Sequence, residues 1–165
     1  MKTLYYYLLA SVSVLFVSCE GDQGPPGPPG LDGGLIVSSA FEIVIDFNSG
    51  NNYERIEPYG FNVEPFDVTL VYILWETDSG QDIWRLLPQR AEFNDGFLEY
   101  NFDFTQTDVR IFLDGTTDFN NLGSEWTTSQ VFRVVVIPAD DVDSIDISNI
   151  KTVMKVGQIQ EFVKH

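Results

Sequence analysis

The chain predicts an all-β fold, an antiparallel β-sandwich with one short helical turn near its C-terminal end. Three observations lead there. Short runs of β-branched and aromatic residues recur from residue 41 to residue 137. Several of them alternate apolar with polar residues at period two. Turn formers such as Thr77, Asp78, Ser79 and Gly80, or Asp114 and Gly115, separate them. No repeat of solenoid or propeller length is visible, which argues against those architectures.

Taken in order, Phe41, Ile43, Ile45 and Phe47 alternate with Glu42, Val44 and Asp46, the pattern of a half-buried strand. The run 68–75 is apolar on both faces, as a central strand covered on both sides would be. Residues 83–87 follow a turn and predict the second arm of a hairpin. Leu98, Tyr100, Phe102 and Phe104 face one way, against Glu99, Asn101 and Asp103, in the cleanest alternation of the chain. The run 109–113 stops at Asp114-Gly115, and the run 131–137 stops at Pro138. Ile150, Val153 and Met154 then recur at helical spacing after Asn149, predicting one or two turns before Gly157. Residues 159–163 read as a last strand or a docked tail.

Ahead of this domain lie two segments of different character. Lys2 opens the chain and the apolar run 4–17 follows it. That is the shape of an export signal, and the run is shorter than the roughly 20 residues needed to span a bilayer. Cys19, the single cysteine, closes the signal. Val17, Ser18 and Cys19 look like the acceptor site of a bacterial lipoprotein, where the thiol takes a lipid and becomes the mature N-terminus; Phe16 departs from the strict pattern. One cysteine allows no intramolecular disulfide, and a lipid thioether would remove a stray thiol from an oxidising compartment. Residues 1–18 are therefore read as the signal peptide, 19–34 as the lipidated cysteine with a tether, and 35–165 as the sandwich.

The tether carries glycine at 21, 24, 27, 30 and 33, with proline pairs between. Glycine at every third position is what a collagen triple helix requires. So few triplets give little cooperativity, so a stiff polyproline II spacer is preferred to a homotrimer through this segment. Glu20 and Asp22, just after the cysteine, resemble surface-export signals of Bacteroidota lipoproteins, which places the chain at the outer membrane, outer leaflet rather than periplasmic face.

The full chain has 9 basic and 25 acidic residues, a net charge of −16. Removal of residues 1–18 takes Lys2 and no acid, which leaves 8 against 25, or −17. Such a domain repels phosphates, which disfavours nucleic acid and direct contact with anionic lipid. The only histidine is His165, placed by the sequence on a frayed end, where no catalytic triad could hold it. Zinc lacks Cys and His ligands, and there is no nucleophile elbow and no phosphate loop. Twenty-five acids guarantee some carboxylate pair at glycosidase spacing, so that signal carries almost no specificity.

Two further constellations remain. Asp140, Asp141, Asp143 and Asp146 form a possible calcium loop, although not an EF-hand, and a plain solvated acidic loop outweighs it. Trp75 and Trp84 sit in strand patterns and are assigned to the core. Trp126 lies in a polar loop with Asn120, Asn121 and Glu125 near it, a set suited to stacking on a sugar. The reading of Trp126 folded back over a sandwich end is preferred to it.

The order of a lipoprotein signal, a Gly-Pro-Pro linker, Tyr72 to Trp75, Asp82 to Pro88 with Trp84, the Asp114-Gly115 turn, and Phe132 to Asp140 resembles small collagen-like lipoproteins of Bacteroidota. The resemblance covers nearly the whole chain and implies an envelope location and this architecture, and it leaves the activity open. The expectation is a lipid-anchored, non-catalytic module that binds an unknown protein or glycan. An accessory subunit of an outer-membrane complex is the alternative, and a carboxylate-dependent glycoside hydrolase comes third.

Overall fold

The computed structural model describes residues 39–143 and 145–165. The export signal, Cys19 and the Gly-Pro-Pro tether lie outside the described residues. The strands are β1 (Ser39–Ile45), β2 (Glu54–Pro58), β3 (Asp67–Asp78), β4 (Gln81–Leu86), β5 (Gln89–Phe93), β6 (Gly96–Phe104), β7 (Asp108–Gly115), β8 (Gln130–Pro138) and β9 (Val163–Lys164). Short helices α1 (Ser124–Thr127), α2 (Ala139–Val142) and α3 (Ile150–Val156) complete the described elements, with two single 3-10 turns.

Two sheets face each other, as a sandwich requires. The first has the order β4-β3-β8-β1-β9 and the second β2-β7-β6-β5. All pairings are antiparallel except that of β9 with β1, which is parallel over Phe41–Val163 and Glu42–Lys164. Between the sheets lie Phe41, Ile43 and Ile45 of β1, Val71 and Ile73 of β3, and Phe132, Val134 and Val136 of β8. They meet Leu98, Tyr100, Val109, Ile111 and Leu113 of the second sheet. The alternation of β1, β6 and β7 thus sets their inward faces. It weakens along β6, where Phe102 is half-buried and Phe104 is 45% exposed.

The doubly apolar runs have a separate cause. Leu70 and Tyr72 of β3, with Val135 and Ile137 of β8, point to the other side of the first sheet and are buried there by Ile150 and Val153 of α3. Met154, Ile159 and Phe162 extend this cover. Asn149 caps α3 by accepting from the Lys151 N–H at 3.1 Å, and the Tyr72 hydroxyl donates to the Ile147 carbonyl at 2.6 Å, fastening the cover to the sheet. Arg133 lies over the rings of Trp84 (4.0 Å) and Phe162 (4.4 Å) and pairs with Glu42 at 3.1 Å. The C-terminal segment therefore forms a third layer.

β2 and β5 escape the sequence pattern. Both are edge strands of the second sheet rich in charged residues, Glu54, Arg55 and Glu57 in one and Arg90 and Glu92 in the other. Edge strands tolerate charge and are protected by it, so no apolar period marks them. The Asp114-Gly115 pair also differs from a plain turn. Gly115 is the last residue of β7, opposite Leu98, at φ +150°, and a Cβ there would stand 2.1 Å from the Phe97 carbonyl oxygen. Glycine is needed for close backbone approach at this point.

Candidate functional site

β1 begins at Ser39, opposite Val136, and ends at Ile45, opposite Gln130. The chain thus enters the sandwich at one pole, and the other pole lies about 20 Å away along the strand. That second pole carries the loops 46–53 and 116–129 and the tips of the β3–β4 and β5–β6 hairpins.

Short polar side chains brace these loops. Asn48 accepts from the Gly50 N–H at 2.9 Å, and Asn51 accepts from the Asn48 N–H at 3.0 Å. Asp46 accepts from the Ser129 N–H at 2.6 Å, and the Phe47 N–H donates to the Thr127 carbonyl at 2.7 Å, joining the two long loops. Asp95 accepts from the Thr117 hydroxyl at 2.7 Å and from the Asp118 N–H at 3.2 Å. These bonds, the Thr117 one foremost, hold the Asp95 carboxyl below the ordinary 3.8 of an aspartate. Local side-chain caps of this kind order loops that have little apolar cover.

On this frame Trp126 folds back over the sandwich end. Its ring meets Phe93 edge-on at 5.3 Å and Trp75 edge-on at 6.2 Å. Its backbone carbonyl accepts from the Tyr100 hydroxyl at 2.7 Å. This is the folded-back arrangement preferred for Trp126 over the exposed, sugar-stacking one: a ring between two aromatics is better covered than one in water. A cleft of about 240 Å³ remains beside it. Trp75, Tyr100 and Trp126 line it, with Glu125, Gln130 and the β3 residues Ile73 and Leu74.

The polar groups of the cleft are arranged unequally. Gln130 Nε2 donates to the carbonyls of Glu125 and Thr128, each at 2.9 Å. The Tyr100 hydroxyl already donates to Trp126, and it is held above its ordinary 10.0 chiefly by burial and then by the negative charge of Glu125. Arg85 lies over the Trp75 ring at 4.4 Å. The cleft thus offers aromatic surface and a carboxylate, with its tyrosine and glutamine donors committed to backbone.

Of the predicted stacking set, the structure brings Glu125 and Trp126 to the cleft. Asn120 and Asn121 lie in a neighbouring 3-10 turn: Asp118 accepts from both side-chain amides, at 3.1 Å and 2.8 Å, and Asn120 accepts from the Tyr53 hydroxyl at 2.9 Å. Trp75, Tyr100, Gln130 and Phe93 complete the site and were not singled out for it. The strand runs mark Trp75 and Tyr100, whereas Phe93 and Gln130 fall outside them, and only the sheet pairing brings all four beside Trp126.

The acidic loop is distributed. Asp140 is exposed on α2, Asp143 is exposed just past it, and Asp146 accepts from both the Ser148 N–H (3.0 Å) and hydroxyl (2.6 Å). The Asp141 side chain lies outside the described residues. Among the described residues no group of three His, Cys, Asp or Glu is placed to hold a metal ion. His165 corrects an expectation. Its N–H donates to the Glu42 carbonyl at 3.0 Å, its ring stacks on Phe41 at 4.3 Å, and its Nδ1 stands 3.2 Å from Glu57. It is packed rather than frayed, because pairing of β9 with β1 delivers it to the Phe41 ring.

Comparison of the chain with family models, with curated proteins and with solved structures finds no match. Among the described residues no helix is long and apolar enough to cross a membrane.

Proposed function

We propose that this chain is a lipid-anchored envelope protein, displayed at the outer membrane, whose sandwich is a non-catalytic binding module. The cleft beside Trp126 carries the binding reading. It is built on core strands, its loops are braced by side-chain caps, and it lies at the pole opposite the entry of the chain at Ser39. The anchor rests on Cys19 at the end of the apolar signal, with the Gly-Pro-Pro spacer behind it. One acyl chain binds membranes only marginally, whereas two or more hold a soluble domain firmly.

Replacement Cys19→Ser tests the anchor. The wild-type chain is expected in the membrane fraction with metabolically incorporated palmitate, and the variant in the soluble fraction without it. Soluble, unlabelled wild-type protein would overturn the anchor.

The alternative, an accessory subunit of an outer-membrane complex, draws on a different surface. On the outer side of the second sheet Arg110 lies over Phe112 (4.7 Å) and Arg90 over Phe97 (3.6 Å), and Ile56 is 54% exposed. Protein–protein interfaces are enriched in arginine and aromatic groups in this way. A photo-crosslinker at position 56 gives a single fixed partner if the subunit reading holds, and scattered or no products if it does not.

A further inference from the structure

Resting on the binding-module reading, the geometry points to an organic cation of the alkylammonium class as the ligand of the Trp126 cleft. Three ligand chemistries compete for it. An anion would meet the Glu125 carboxylate on a chain whose net charge is −16. A sugar needs several donors and acceptors converging on its hydroxyls, but the Gln130 amide and the Tyr100 hydroxyl already donate to protein carbonyls, and Asn120 and Asn121 are held by Asp118. A cation needs ring faces, acceptors and a counter-charge. The partly buried Trp75 and Trp126 supply the rings, Glu125 the charge, and the acidic surroundings the long-range attraction.

The protein itself illustrates the preference. The Arg85 guanidinium rests on the Trp75 ring at 4.4 Å, with Glu76 3.8 Å away as its carboxylate partner. The cleft repeats that pairing of tryptophan and carboxylate with Trp126 and Glu125. Its volume of about 240 Å³ suits one butylammonium-sized group, such as a lysine side chain or one arm of a free polyamine, rather than an oligosaccharide.

The full chain, purified in a non-ionic detergent with its tryptophan indoles labelled for NMR, provides the test. Titrations use n-butylammonium chloride, butan-1-ol as its neutral counterpart, methyl β-glucoside, and sodium chloride at matched ionic strength. Saturable shifts of the Trp75 and Trp126 indole signals are expected with butylammonium, at an affinity about tenfold above that for butanol. Glu125→Gln, an exposed position that the fold does not need, should weaken butylammonium several-fold and leave butanol unchanged. Trp126→Phe, which keeps an aromatic cover, should weaken butylammonium less than Glu125→Gln does. Cadaverine and Nα-acetyl-lysine amide, added in parallel, separate a free amine from a lysine side chain. Equal response to butanol, a response to the glucoside alone, or no response to any probe would overturn the cation assignment. Membrane fractionation of the Cys19→Ser variant is independent of all three results, so the lipid-anchor reading stands or falls separately.

Discussion

The two sheets treat their outer faces in opposite ways. The first is covered: Tyr72, Val135 and Val153 are fully buried beneath the α3 layer. The second is bare, and its outer side carries Glu99, Asn101, Asp103, Arg110 and Phe112. Both have Arg–aromatic contacts, yet in different surroundings. Arg133 is sandwiched between Trp84 and Phe162 with a mostly covered Glu42, whereas Arg110 rests on Phe112 and pairs with Asp103 and Glu54 in water. The same residue types should therefore differ in energetic weight between the faces.

The largest contrast comes from setting a buried charge beneath one outer face against a polar exchange on the other. Val135→Asp places an unpaired carboxylate under α3, and several kcal/mol of destabilisation is expected, on the order of the whole stability of the domain. Asn101→Ser on the bare sheet should shift stability by no more than about 0.5 kcal/mol. Chemical denaturation of both variants checks the pair, and equal effects would break the comparison.

Next in size is Tyr72→Phe. Removing the hydroxyl leaves the Ile147 carbonyl without its 2.6 Å partner, for a loss of about 1 to 3 kcal/mol. Amide exchange should quicken first in α3 and leave β6 and β7 unchanged. Exchange that quickens evenly would mean that the third layer is not a separate unit.

The two arginines sharpen the contrast further. Arg133→Ala removes two ring contacts and a shielded ion pair, for roughly 1 to 2 kcal/mol. Arg110→Ala, in solvent, should cost about 0 to 1 kcal/mol, and that cost should fade in high salt. Thermal melts at low and high salt separate the two.

The smallest effect concerns the braced pole. The Asp95 carboxyl is depressed below 3.8 when folded, so its contribution is present above that value and is lost as pH falls through the folded pKa. Thr117→Val removes the first cause of the depression, and the Asp95 carbon resonance should then titrate closer to 3.8. An unchanged titration would mean that the Thr117 bond does not shift it.

Much of this frame was legible in the chain. β1, β3, β6, β7 and β8 follow from alternation or double-sided apolar runs, and the cover over β3 follows from its lack of a polar face. The identity of that cover did not follow, although Ile150, Val153 and Met154 marked a helix, because the contact between α3 and β3 spans some 80 residues of sequence. β2 and β5 carried no apolar period, since edge strands in water need none. Trp126 and Glu125 stood out by type, but their cleft is completed by Trp75, Tyr100 and Gln130, which only the strand register gathers. Asn120 and Asn121 looked available, and local turn geometry binds them to Asp118.

Display at the cell surface is the central claim, and protease treatment of intact cells tests it most directly. An antibody against the C-terminal half follows the domain through the digestion. The expected result is loss of signal in intact cells while a periplasmic marker survives. Survival of the domain until the cells are lysed would contradict surface display and place the module on the periplasmic face.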